Sequence, residues 1–377
     1  MEKNGKKRKQ MLLGLGSLFL VAGLAYSIYW FSVAQFYQST DDSYVSGNLV
    51  EIMPQLSGNV VSFYADDTES VKTAQPLVKL DDTDAKLALQ NAENELAETV
   101  RKVKQLYSSA GELRAAVNER QSELEKAEKD LLRRRKLIPG HAVSREELQH
   151  AKDNVAIAES SLASAEQRLA SALAAVENTT LSTHPAVLQA ETRLRQAWLE
   201  VERTSIKSPA TGYVAKRSVQ IGERVTPQST LMVIVPLDEI WVDANFKEDQ
   251  LRHIRIGQPV TLTSDLYGTN VVFHGKVAGL GAGTGSVFSL LPPQNATGNW
   301  IKVVQRLPVR IRLDANEIAR HPLRIGLSMV AKVDTHDERG PVLAKAEPEK
   351  PIYSTPVFQN DSQQAERLIE KILRENG

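Results

Sequence analysis

The residues whose types and spacing could support chemistry are few. Gly279-Leu-Gly281-Ala-Gly283-Thr-Gly285 has the glycine density of a phosphate-cradling loop. It lacks the lysine of a P-loop and the strand-to-helix setting of a dinucleotide site, so it reads as a flexible connection. The seven histidines are scattered, with no pair at helical metal spacing. Zero cysteines remove thiolate ligands, disulfides and cysteine nucleophiles. No nucleophile or acid/base pair stands in a recognisable setting, so neither an enzyme nor a cofactor is expected. What remains is contact chemistry. Arg133 offers a fork of donors to carbonyls or carboxylates, and Leu137 is a compact apolar knob four residues on. Ser144, followed three residues later by Glu147, has the spacing of an N-cap with its capping box.

These three residues flank Pro139-Gly140, and the elements that must present them are two long helices. Apolar or small residues recur at heptad spacing through Leu89, Ala92, Leu96, Val103, Leu106, Ala110, Leu113, Val117, Leu124, Ala127 and Leu131. A 3.5-residue period is the seam of a left-handed coiled coil. The descending arm answers with Leu148, Val155, Leu162, Leu169 and Val176 alternating with Ala151, Ala158, Ala165 and Ala172. Around Asn178 to Pro185 the register breaks, and it resumes at Val187, Ala190, Leu194, Ala197 and Val201. The spacing therefore predicts an antiparallel hairpin over residues 82–205 whose second arm is two helices or one kinked helix. Its first arm would reach about 85 Å.

Lysine and arginine total 46, as do aspartate and glutamate, so no net charge draws a nucleic acid. Residues 1–10 carry five basic residues against one acid, and residues 11–36 carry no charge. That is enough to cross a bilayer, and the basic flank assigns residues 1–10 to the cytoplasm. The run continues through Ile28, Tyr29, Trp30, Phe31 and Phe36, which favours an uncleaved anchor over a signal peptide.

Two strand-like stretches, 45–81 and 206–238, flank the hairpin and repeat each other. Ile52, Gly58, Val60, Glu69, Val71 and Leu77 recur at constant offset as Ile206, Gly212, Val214, Glu223, Val225 and Leu231. Each half is too short to bury a core, so the two should close into one β-sandwich. This pairing resembles the split biotinyl/lipoyl fold, with the lysine-bearing turn replaced by the hairpin. Residues 239–335 hold short strands at spacings that predict a small β-barrel. Within it, a long loop presents Phe288, Leu290 and Leu291, which either touch the membrane or a transporter or fold back over the barrel. Residues 336–377 read as a proline-containing linker and a short helix striped by Ala365, Leu368, Ile369 and Ile372. The membrane-proximal domains are one place for that stripe to dock.

In this order, and through the runs Val242 to Glu248, Arg255 to Val260, Gly283 to Ile311 and Pro322 to Ser328, the chain resembles the membrane fusion (periplasmic adaptor) family. It is of the haemolysin-secretion type and most similar to the EmrA-like multidrug efflux adaptors. The resemblance implies an α+β fold: a transmembrane helix, a split lipoyl-like sandwich with an inserted helical hairpin, and a β-barrel. It also implies an inner-membrane adaptor with its bulk in the periplasm, which joins a major facilitator drug/proton antiporter to an outer-membrane channel of TolC type and self-associates into a ring. Arg133, Leu137 and Ser144 match the family's tip motif, whose positions engage the channel. Two other readings stay open, an adaptor for protein secretion with an ATP-driven partner and a structural coiled-coil tether.

Overall fold

A computed structural model describes residues 3–137, 143–285, 287, 304–344, 351–358 and 362–377. Helix α1 spans Lys3–Ser32, and the apolar stretch Met11–Phe36, which runs just past its end, is 26 residues long with a mean hydropathy of 2.0 and none of it buried. A helix that is apolar on every side has no polar face to offer water, so its stable surroundings are apolar. A 3-10 turn, Ala34–Phe36, leads into strand β1, Tyr37–Ser46. That strand does not belong with the sandwich that follows it, although Val45 and Ser46 were expected there.

The sandwich is built from two sequence-separated halves. The first supplies β2 (Val50–Ile52), β3 (Gly58–Phe63), β4 (Ser70–Val71) and β5 (Pro76–Leu80). The second supplies β6 (Ser205–Lys207), β7 (Gly212–Arg217), β8 (Arg224–Val225) and β9 (Met232–Val235). One sheet runs β2-β9-β7-β4 and the other β6-β5-β3-β8, so exchanging the halves maps one sheet onto the other. The repeat extends to single bonds: the Val60 amide donates to the Glu223 carbonyl and the Val214 amide to the Glu69 carbonyl, both at 2.9 Å. All the repeated apolar residues, Ile52/Ile206, Val60/Val214, Val71/Val225 and Leu77/Leu231, share one core. Each half covers the apolar face the other exposes.

Neighbouring strands β5 and β6 carry the hairpin. Helix α2, Thr83–Leu137, has 55 residues and is about 82 Å long. The return consists of α3, Arg145–Leu173, and α4, Pro185–Arg203, so the second arm is two helices. Asn178 at φ +60° turns the chain between them. Pro185 then starts α4, where its missing amide costs nothing, and His184 caps that helix by accepting the Ala186 amide at 3.2 Å. Outer α2 packs on α3 and basal α2 on α4. The last helix, α6 (Gln363–Asn376), packs on basal α2 and α4 rather than on the membrane-proximal domains.

Strands β10 (Trp241–Lys247), β11 (Pro259–Ser264), β12 (Gly268–Leu280), β13 (Arg306–Leu313) and β14 (Ser328–Asp334) close with β1 into a barrel ordered β1-β10-β13-β12-β11-β14. Its interior is filled by alternating residues such as Val242, Ala244 and Phe246 from β10 and Met329, Ala331 and Val333 from β14. A short helix, α5 (Ala315–Arg320), is capped by Asp314 and covers one end with Ile318.

Candidate functional site

The residues singled out from the sequence fall at two places, at opposite ends of the chain of domains. The first is the hairpin tip. Arg133 lies in the penultimate turn of α2 with 73 % of its side chain exposed. It is not a free fork, because it pairs with Asp130, which also accepts from Arg134 Nε at 2.7 Å. These i,i+3 and i,i+4 contacts hold the Asp130 carboxyl below the usual aspartate range, the hydrogen bond from Arg133 being the main cause. Asp130 escaped the sequence reading, although its spacing to Arg133 and Arg134 is a signal for it. Arg134, Arg135 and Lys136 end the helix, where cations complement the carbonyl end of the macrodipole. Leu137 is its last residue and is 45 % exposed.

Ser144 begins the return. Its Oγ accepts the Glu147 amide at 3.1 Å, and its own amide donates to Glu147 Oε2 at 2.8 Å. This is a complete capping box, and it holds the Glu147 carboxyl below its ordinary value through that backbone donor. The structure therefore gives Ser144 a local task in starting α3, whatever else meets it. Arg133 and Leu137 end one helix and Ser144 starts the next; residues 138–142, with the Pro139-Gly140 bend, lie outside the described residues.

The second place is the barrel end nearest α1. Strand β1 starts there at Tyr37, paired with Asp334 at the end of β14, and β10 ends there at Lys247, paired with Arg306 at the start of β13. Strand β12 ends at the same rim with Leu280, so the connection from β12 to β13 leaves the barrel beside the apolar helix. Phe288, Leu290 and Leu291 belong to that connection and lie outside the described residues. Around the rim the Phe36 carbonyl accepts both the Thr335 amide and its hydroxyl at 2.8 Å, and the His336 ring stacks on Phe36 at 4.3 Å. Lys332 Nζ sits 4.0 Å from the Tyr37 ring centroid. These contacts tie the foot of α1 to the barrel. The sandwich hangs from the opposite rim, where β1 ends and β10 begins, and the hairpin leaves from the sandwich.

Comparison with known proteins agrees with this architecture. A family profile, the EmrA alpha-helical hairpin domain, matches residues 83–204. The chain is 47 % identical to the multidrug export protein EmrA of Escherichia coli K12, over 100 % of this chain and 96 % of that one. It is 45 % identical to the fatty acid resistance protein FarA of Neisseria gonorrhoeae, over 98 % of this chain and 93 % of that one. Among solved structures, that of the periplasmic adaptor protein EmrA matches with a TM-score of 0.40 at 19 % identity, covering 80 % of this chain and 99 % of that one. The chain belongs to the EmrA family of multidrug-export membrane fusion proteins.

Proposed function

We propose that this chain is the non-enzymatic adaptor of a tripartite efflux system. Its Met11–Phe36 segment is a single-pass inner-membrane anchor, with residues 1–10 in the cytoplasm and the chain after the anchor in the periplasm. The inner-membrane partner is a drug/proton antiporter of the major facilitator type, which supplies the energy. The outer partner is a channel of TolC type, met by Arg133, Leu137 and Ser144, the last of which also caps α3, and several copies assemble as a ring. The loop bearing Phe288, Leu290 and Leu291 contacts the transporter or the membrane. The observation that best supports this reading is the axial order: an apolar 26-residue span at one end, then barrel, sandwich and a helical arm about 82 Å long whose far end carries exposed Arg133 and Leu137. Efflux rather than protein secretion is supported by the relatives, which are named for multidrug export and fatty acid resistance.

The test is made in cells. Because the chain has no cysteine, a cysteine placed at Leu132, 54 % exposed near the tip, gives a single crosslinking site. A crosslink to an outer-membrane channel is expected, together with loss of that crosslink and of drug resistance in Arg133→Asp and Leu137→Asp at unchanged protein level. Ser144→Asp keeps an N-cap acceptor for α3, so loss of both in that variant reports a lost channel contact rather than a lost cap. Intact resistance in stably made Leu137→Asp and Arg133→Asp would leave only a tether.

A further inference from the structure

The segment after the barrel is bonded to the barrel, borders a cavity on the sandwich and ends docked on the hairpin. At the barrel, the Ile256 amide donates to the Pro341 carbonyl at 3.0 Å, and buried Gln258 donates through Nε2 to the His253 and Asp337 carbonyls at 2.9 Å. Glu338 pairs with His253 at 2.7 Å. At the sandwich, Val357 and Phe358 line a cavity of ≈ 550 Å³ bounded by edge strand β2, edge strand β6 and the last turn of α4. At the hairpin, α6 buries Ala365, Ile369 and Ile372, the last two in the core shared by α2 and α4. Arg195 of α4 donates to Glu366 through Nε at 2.7 Å and Nη2 at 3.0 Å, and its Nη2 also reaches buried Glu191 at 3.1 Å. Arg101 of α2 donates to Asn376 at 2.6 Å, at the other end of α6.

A helix of 14 residues is marginal alone in water, so α6 owes its order to this docking. The base of the hairpin, where α6 docks, is also its best-buried part. Where α6 lies, Leu96, Val100, Val187 and Leu194 are all 0 % exposed. Along the outer pair of helices only Leu124 and Ala151 fall into the buried class beyond Ala110 among the described residues.

We propose that α6 is a brace that fixes the direction in which the hairpin leaves the sandwich, with Glu366, Ile369 and Ile372 as its positioning residues. Without it the rod is joined to the sandwich at its root, through the short junctions Asp81–Asp82 and Thr204, side by side on one sheet, and a few local contacts such as Lys207 with Glu202. Such a pair of junctions resists stretching better than tilting. A swing of only about 10° at the root displaces the tip by roughly 14 Å over the length of α2, so aim has to be set at the base. The brace rests on contacts within one chain and holds whatever the tip binds.

The experiment uses the full chain in detergent with nitroxide labels at Lys104→Cys on α2 and Lys216→Cys on β7, both exposed, and reads the interspin distance distribution. One narrow distribution is expected. Ile369→Asp with Ile372→Asp, or removal of residues 345–377, is expected to at least double its width, while Ile369→Leu with Ile372→Leu keeps it narrow. An unchanged width in the Asp variant and in the truncation would overturn the brace. Should both lose their strand signal and fail to fold, hydrogen exchange on Ile369→Ala decides. Exchange over residues 92–103 and 187–197 should rise at least tenfold with the barrel strands unchanged; no rise there refutes the proposal. Resistance is not read, so a failed efflux reading leaves this result intact.

Discussion

Leu194→Ala is expected to loosen the base of the hairpin far more than an equal truncation near the tip. Leu194 is 0 % exposed and belongs to the three-helix core with Leu96, Val100, Val187 and Ile369. Deleting a leucine side chain from a core that cannot collapse around the gap costs about 3 kcal/mol. Leu132, on the same hairpin, is 54 % exposed, so Leu132→Ala should cost no more than about 0.5 kcal/mol. With tenfold per 1.4 kcal/mol, the first substitution raises the local opening constant about a hundredfold and the second roughly twofold. Hydrogen exchange followed by mass spectrometry on the full chain resolves the two. Amides of α4 and α6 should lose protection in Leu194→Ala, with those of the barrel unaffected. Equal effects from the two variants, or loss confined to α3, would refute the claim that the hairpin is anchored by its base.

Gly212→Ala should destabilise the sandwich by about 1–3 kcal/mol, because the added carbon would meet the Val235 carbonyl oxygen at 2.5 Å, while its repeat partner Gly58→Ala meets Leu80 at an ordinary 3.5 Å and should be tolerated. Thermal unfolding of the two variants checks this; similar losses would refute it. Glu366 is held below its ordinary value of 4.5 chiefly by its hydrogen bond to Arg195. A carboxyl with a lowered folded pKa stabilises fully above its unfolded value and loses that contribution as pH falls through the folded one. Docking of α6, read from the mobility of a nitroxide at Lys371→Cys, should therefore weaken below about pH 4.5, and Glu366→Gln should remove that acid step.

Much of the hairpin was legible because a coiled-coil seam writes itself locally: Leu96, Val103, Ala110, Leu124, Val187, Ala190 and Leu194 were read from period alone and are buried. Val100 was missed because it falls between seam positions; it is buried because α6 adds a third helix there and widens the apolar stripe beyond two faces. The stripe on α6 was visible, but a stripe names no partner, and its partner lies more than 160 residues away. Strand β1 was illegible for a different reason. Its sequence YQSTDDSYVS has no apolar alternation, because it turns Thr40 and Ser43 into the barrel beside Val45 and carries a bulge between Thr40 and Ser43. At the tip, the resemblance to a family motif pointed to Arg133, Leu137 and Ser144, but not to Asp130, the acid that pairs with Arg133.

The internal repeat explains why a rod of this length is tolerated inside a small sandwich. Each half of the repeat supplies two strands to each sheet, so the link between halves does no work in the core and its length is free. Its ends are not free: β5 and β6 are paired neighbours, about 4.8 Å apart as strands go, whereas packed helices stand 8–10 Å apart. The alanine row at Ala190 and Ala197, both buried, narrows that mismatch by letting α4 approach α2. The junction is then closed by short polar contacts. Asp82 pairs with Lys79 at 2.8 Å and Lys86 at 3.0 Å, Lys79 donates to Thr204 at 2.9 Å, and the Leu80 amide donates to the Thr204 carbonyl at 2.8 Å. Both helices thus start from bonded strand ends rather than from free loops, so bending at the base must break sheet or ion-pair contacts. A repeat that leaves its own link unconstrained, joined to helices rooted in adjacent strands, is what lets a 55-residue helix stand on a small sandwich.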